Sequence, residues 1–419
     1  MKENKFVTTE LLRDYARLVI RTGVALQEDQ TLVINAPISC AEFARLLVSE
    51  GYSAGAHDVH VVWSDEETAL VKYLQAKPEV FDEFAPWRQL MYTETAQKGA
   101  AYVSIHADNP EIFKDVEPER LQRAQRAAGA ALLEYRMRLM SNKNRWCIVS
   151  IPTEAWAKKV FPELGTEEAV GALWQEILAA VRVQEGQSAV ERWQEHTAFL
   201  ARAAKFMNDN RFAALHYQNS LGTDLTIRLP EGHIWAGGAE DAADGVSFVA
   251  NMPTEEVYTM PHREGVDGTV VATKPLHYHG NLIEGFRLTF KEGKVVDWSA
   301  AKGGELLQEL LDTDEGSAYL GEVALVPFDS PISQSGVLFY NTLFDENASC
   351  HLALGKAYPT CIAGGTEQEQ DELLARGVND SIVHEDFMIG SRDLTITGIT
   401  QDGKEVPVFS GGNFVSFDE

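Results

Sequence analysis

Cysteine is scarce: Cys40, Cys147, Cys350 and Cys361 are the four in 419 residues, and no two form a Cys-x-x-Cys pair. That spacing excludes a disulfide framework and a thiolate zinc site. Long apolar runs are missing too. No stretch approaches the roughly 20 residues of a membrane span, and MKENKFVTTELLRDYARLVIRTG is broken by charge too often to hold a signal-peptide core. A cytoplasmic protein that enters no membrane is expected. Positive charge is short, with 36 Lys and Arg against 63 Asp and Glu and a net charge of −27. Such a field repels a phosphate backbone and an anionic membrane surface, so nucleic acid is not an expected partner. It favours metal ions and substrates that carry an ammonium group. Neither G-x-G-x-x-G nor G-x-x-x-x-G-K-[ST] follows a strand, H-E-x-x-H is absent, and no nucleophile elbow is read.

What remains is an ordinary globular composition, 45% hydrophobic and 24% charged, in a chain long enough for two or three domains. The first part alternates. TLVINAP, HDVHVVWSD, AAYVSIHAD and RWCIVSIP read as apolar strands separated by helical patterns such as CAEFARLLVSEGY, which argues an α/β domain with a parallel sheet. A helix-rich section follows, EEAVGALWQEILAAVRV and AVERWQEHTAFLARAAKFMND, and is expected to link the halves. From about Phe212 the pattern turns to β: AALHYQN, DLTIRLP, GTVVATKPLHYHG, LIEGFRLTFKEGKVVDW, EVALVPF, GVLFYNTLFDE, DLTITGI and PVFSGGNFV. Turn signals at Leu221-Gly222-Thr223-Asp224 and Lys291-Glu292-Gly293-Lys294 suit hairpins. The expected organisation is an α/β domain with its helical linker over 1–205 and a mixed, largely antiparallel α+β domain over 206–419.

The unusual polar residues all lie in the second half. In SIVHEDFMIG, His384, Glu385 and Asp386 interrupt a short apolar strand; alternation puts His384 and Asp386 on one face and Glu385 on the other. Glu255 and Glu256 stand in NMPTEEVYTMP, Glu322 opens the apolar run of GEVALVPF, and Glu346, His351 and Tyr358 lie in LFDENASCHLALGKAY. Three glutamates, two histidines and an aspartate suit two divalent ions of the zinc, cobalt or manganese kind, with magnesium admissible. Two such ions activate water for hydrolysis. Each residue also has a plain reading: a structural His–carboxylate pair for His384 and Asp386, an edge-strand charge for Glu322, a solvated turn for Glu255 and Glu256. If ASCHLALGKAY is a helix, His351 and Tyr358 share a face, while Cys350 and His351 do not meet. His277 and His279 in PLHYHGN could share one strand face and read as surface groups or as supports behind a ligand rather than as ligands.

At these same segments the chain resembles the thermophilic aminopeptidase family, dinuclear metallopeptidases of the aminopeptidase T and aminopeptidase S type. The likeness rests on NMPTEEVYTMP, GFRLTFKEGKVVD, GEVALVP, LFYNTLFDENASCHLALGKAY and VHEDFMIGS in that order, and it runs nearly the full length. By position it implies metal ligation by Glu256, Glu322, Glu346, His351, His384 and Asp386, with Tyr358 as an active-site tyrosine; for Tyr358 a hydrogen bond to the developing oxyanion is the expected role. It further implies removal of N-terminal residues from peptides with a free N-terminus, and a homodimer enclosing its active sites. Adjacency leaves Glu255 and Glu256 as alternatives at one ligand position. Two other functions fit the ligand set: a different metal-dependent amidohydrolase or esterase, and a non-catalytic metal-binding protein.

Overall fold

The computed structural model describes residues 6–278 and 281–417. The chain divides into two compact units, the first comprising Met1–Glu195, Ala239–Pro253 and Leu338–Leu343, the second His196–Gly238, Thr254–Val337 and Phe344–Glu419.

In the first unit, Thr8 caps the helix Thr9–Leu18 by accepting a hydrogen bond from the Leu11 N–H at 3.3 Å. The Val- and Ile-rich runs form β1 (Thr31–Pro37), β2 (Asp58–Ser64), β3 (Ala101–Ile105) and β4 (Trp146–Val149). They pair in parallel, in the order β2-β1-β3-β4. Leu32, Val33, Ile34 and Ala36 of β1 are all buried, the near-continuous burial of a strand covered on both faces. The parallel sheet expected from the alternating pattern is present.

The second unit is built from β5 (Ala214–Gln218), β6 (Asp224–Arg228), β7 (Val257–Thr259), β8 (Val266–Val271), β9 (Arg287–Lys291), β10 (Lys294–Ser299), β11 (Leu320–Leu325), β12 (His351–Gly355), β13 (His384–Met388), β14 (Thr395–Ile399), β15 (Glu405–Ser410) and β16 (Asn413–Phe414). An eight-stranded sheet runs β10-β9-β8-β6-β5-β14-β15-β16, and a four-stranded sheet runs β13-β12-β11-β7. Every pairing within them is antiparallel. The β9–β10 turn is the hairpin its residues signal. Glu292 and Gly293 both have positive φ, +50° and +83°, the backbone twist that a two-residue hairpin loop requires.

One stretch read as β is not. GVLFYNTLFDE is irregular until the helix Thr342–Asp345. The Asn341 side chain accepts from the Leu343 N–H at 3.1 Å, a local bond that starts a helical turn and competes with strand pairing. The carbonyl of Phe339 accepts from the Trp156 indole instead of from a neighbouring strand. Among the described residues no helix is long and apolar enough to cross a membrane.

Candidate metal centre

The four-stranded sheet places the site by register. Glu322 of β11 lies opposite Ala353 of β12, which lies opposite Asp386 of β13. Residues paired directly across an antiparallel sheet project to the same face, so Glu322 and Asp386 share one. His351 and His384, each two residues from a member of that row, project there as well. Ala324 and Ala353 occupy the same face, and their small side chains leave room between the longer ones. The opposite face carries Val323, Leu325, Leu352, Leu354 and Phe387, all part of the apolar core.

A strict alternation would put Leu320 and Glu322 on one face, yet Leu320 belongs to the core. The register shifts between Leu320 and Glu322, so Gly321 is the extra residue of a β-bulge, which turns the strand by one position. A side chain at Gly321 would place its Cβ 2.3 Å from the Lys356 carbonyl oxygen and 2.4 Å from that of Gly355. Glycine there lets β11 bend against the end of β12.

Five of the six expected ligands come together. The Nε2 of His351 lies 3.3 Å from Glu256 Oε2, 3.4 Å from Glu322 Oε1 and 4.0 Å from Asp386 Oδ1. The Nε2 of His384 lies 3.5 Å from Glu322 Oε2 and 3.5 Å from Asp386 Oδ1. Two groups result, Glu256, Glu322 and His351 in one and Glu322, His384 and Asp386 in the other, the ligand atoms of each lying within 4.8 Å of one another. Glu322 belongs to both, one oxygen toward each imidazole. Glu346 falls in neither group, but it is close enough for the charges of Glu256, Asp386, His351 and Glu322 to act on it.

These residues fit a metal on three grounds. Donor atoms held about 2.0–2.2 Å from one tetrahedral ion stand roughly 3.3–3.6 Å apart, the spacing seen here, whereas charge-assisted hydrogen bonds are shorter. Asp386 Oδ1 is buried and makes no hydrogen bond, a costly state unless a cation satisfies it. Each imidazole is also oriented from behind. His351 Nδ1 donates to the Ser349 carbonyl at 3.2 Å and His384 Nδ1 to the Lys356 carbonyl at 2.7 Å, which fixes the tautomer that leaves Nε2 available for a metal.

The electrostatics record the crowding of acids. Burial, then repulsion from Glu322 and Asp386, pushes the Glu256 carboxyl up to about 8. Glu346 is raised well above the carboxylate range by burial and by the Glu256 and Asp386 charges. Burial works to lower the imidazole pKa values, but the surrounding carboxylates prevail, carrying His351 to about 10 and His384 to about 9. Burial likewise opposes ionisation of Asp386, yet the two imidazoles hold it below its ordinary value.

Several expectations from sequence are settled locally. Glu256 faces His351, while the Glu255 carboxylate lies 3.7 Å from His196 Nε2; neither is a solvated turn residue. Glu322 lies on an interior strand and is buried, so the edge-charge reading fails. ASCHLALGKAY is not a helix: β12 ends at Gly355, and Tyr358 reaches the site from the following loop, its ring 4.8 Å from that of His384. Cys350 exchanges hydrogen bonds with the Val326 backbone, and burial pushes its thiol up to about 12. His277 is exposed, and His279 lies outside the described residues. Gly51-Tyr52-Ser53-Ala54-Gly55 does have G-x-S-x-G spacing, but it closes a helix before β2, the reverse of a nucleophile elbow, and Ser53 Oγ donates to the Ser49 carbonyl. Sequence reasoning missed His196, on the helix Ala189–Asn210, and Asn347, whose side-chain oxygen accepts the Glu255 N–H at 2.7 Å; each meets Glu255 only through the tertiary fold, and a single His or Asn gives no periodic signal.

The family model described as thermophilic metalloprotease (M29) matches residues 8–414. Aminopeptidase 2 of Geobacillus stearothermophilus is 49% identical over 96% of this chain and 97% of its own length. AmpS of Bacillus subtilis is 49% identical over 97% of this chain and 98% of its own. The solved structure of wild-type AmpT from Thermus thermophilus superposes with a TM-score of 0.90 at 38% identity, covering 97% of this chain and 99% of that one.

Proposed function

Because the chain belongs to the thermophilic metalloprotease family M29 and is a metal-dependent aminopeptidase, we propose that the face built by β11, β12 and β13 holds two divalent ions and serves to remove N-terminal residues from peptides with a free α-amine. The observation that carries this reading is Glu322, whose two oxygens face two different imidazoles 3.4 and 3.5 Å away. A carboxylate so shared is suited to span a pair of ions. Glu256, Glu346 and His351 would hold one and His384 and Asp386 the other. Ions of the zinc, cobalt or manganese kind would supply a nucleophile from water at neutral pH and polarise the scissile carbonyl. The chain's own part is to fix the ligand atoms, exclude competing donors by burial, and attract an ammonium-bearing substrate with its acidic surroundings. Tyr358, whose ring lies 4.8 Å from that of His384, would donate a hydrogen bond to the developing oxyanion.

Two broader readings accompany this one. Free, buried thiols at all four cysteines suit a reducing cytoplasm. Trp87 and Leu90 on the helix Pro86–Gln97, with Leu133, Met137 and Met140 on the helix Leu133–Met140, are exposed apolar side chains, the kind of surface a homodimer covers. The test is hydrolysis of Leu-p-nitroanilide and its N-acetylated counterpart by metal-stripped protein, before and after titration with Zn²⁺, Co²⁺ or Mn²⁺. Activity restored near two equivalents, on the free amine only, is expected. Equal cleavage of both substrates, or none, would overturn the exopeptidase reading. Light scattering on the same sample should give twice the chain mass.

A further inference from the structure

The two halves of the centre are held by different parts of the unit. His351 is almost wholly buried, whereas His384 and Asp386 lie on β13, the outermost strand of its sheet, with side chains 20% and 17% exposed. Ahead of β13 runs the segment Asn379–Val383, and it is tied down from a turn far away in sequence. Asp314 Oδ1 accepts from the Gly316 and Ser317 N–H groups, each at 2.9 Å, and from Ser381 Oγ at 2.8 Å. Asp314 Oδ2 accepts from the Ile382 N–H at 2.7 Å. One carboxylate thus shapes its own turn with one oxygen and holds the lead into β13 mainly with the other. Asn379 adds a second tie, donating to the Gly316 carbonyl at 2.9 Å and the Gly355 carbonyl at 2.6 Å. The backbones touch as well: a Cβ on Gly316 would stand 1.8 Å from the Asp380 carbonyl oxygen. Ile382 is 83% exposed, so of the two apolar side chains in this segment only Val383 packs against the core.

Resting on the two-metal reading above, we propose that Asp314 is a positioning residue for the His384–Asp386 half of the centre and sets the metal affinity of that half separately from the Glu256–His351 half. Residues that orient metal ligands from behind typically change affinity by about 10–100-fold when altered. The variant Asp314→Asn separates turn from tether. Its amide oxygen keeps the bonds from Gly316, Ser317 and Ser381, while its NH₂ group meets the Ile382 N–H and cannot accept from it. Ser381→Ala removes the hydroxyl's bonds to Asp314 Oδ1 and Oδ2, at 2.8 and 3.0 Å, and the bond it accepts from the Val383 N–H at 3.2 Å, and leaves the Ile382 bond in place.

The measurement is equilibrium dialysis against Co²⁺, with metal counted by mass spectrometry and the ligand field read from the visible absorption of bound Co²⁺. For Asp314→Asn we expect one of two equivalents to weaken by about 10–100-fold and the other to stay within about threefold of the unaltered protein. Ser381→Ala should show a smaller change in the same equivalent. Unchanged binding in Asp314→Asn, or equal weakening of both equivalents, overturns the proposal. Fewer than two equivalents in the unaltered protein overturns the two-metal reading itself, and the proposal with it.

Discussion

Tyr358 is the neutral donor beside a cluster of acids, and its surroundings keep it so. In the metal-free protein burial, then the charges of Glu322, Asp386, Glu346 and Glu256, raises its phenol well above the ordinary tyrosine range. A protonated phenol is fit to donate to an oxyanion and unfit to act as a base. With 37% of its surface exposed, it borders space a substrate can reach. Tyr358→Phe removes the hydroxyl and little else. Turnover of Leu-p-nitroanilide is expected to fall about 10²–10³-fold, the usual cost of a lost oxyanion donor, with metal content unchanged and KM altered only a few-fold. Unchanged turnover would remove Tyr358 from the chemistry. The resemblance singled the residue out; the helical spacing that would have set it on one face with His351 is absent, and a loop after β12 brings its ring to that of His384.

At the scale of elements the site depends on one irregularity. The bulge at Gly321 sends Leu320 into the core and Glu322 to the opposite face, although they stand two apart. In Gly321→Ala the new methyl meets two backbone oxygens at 2.3 and 2.4 Å, and backbone atoms have little freedom to yield. Glu322, shared by both ligand groups, moves with the strand. We expect about 2 kcal/mol or more of lost stability, read as a lowered Tm of the metal-free protein, and reduced uptake of both metal equivalents, read by mass spectrometry. Full uptake of both would show that the bulge is not what aims Glu322. Here the limits of the sequence are physical. The parallel strands were legible because apolar runs such as TLVINAP are local signals, and alternation alone put His384 and Asp386 on one face of β13. A bulge depends on how two strands meet and leaves no mark on the apolar pattern. The same holds for Asp314, which holds Ile382 across 68 positions, and for GVLFYNTLFDE, where strand-like residues yield to a cap at Asn341.

For the whole molecule, the gathered acids make stability depend on metal and pH together. In the metal-free protein His351 and His384 are raised from an ordinary 6.5 to about 10 and about 9. Their charged forms stabilise the fold; that contribution is complete below pH 6.5 and is lost as pH rises through 9 and 10. Glu256 is raised from 4.5 to about 8, so above 4.5 the folded state resists an ionisation that the unfolded chain completes, and the cost grows until pH passes 8. Both effects make the folded chain bind more protons than the unfolded one near neutrality, and stability must fall as pH rises. Metal reverses the sign. Ions require deprotonated imidazoles and carboxylates, so uptake expels those protons, affinity increases with pH, and binding to the native state alone stabilises it by mass action. Self-repulsion from the net charge of −27 acts on both forms and produces no gap between them. With chelator present, Tm is therefore expected to decline between pH 6 and 9, while the metal-saturated protein stays level or rises, so that the two curves diverge. Thermal melts in matched buffers check this, and parallel curves would mean that the carboxylates and imidazoles gathered on this face are not where the metal binds.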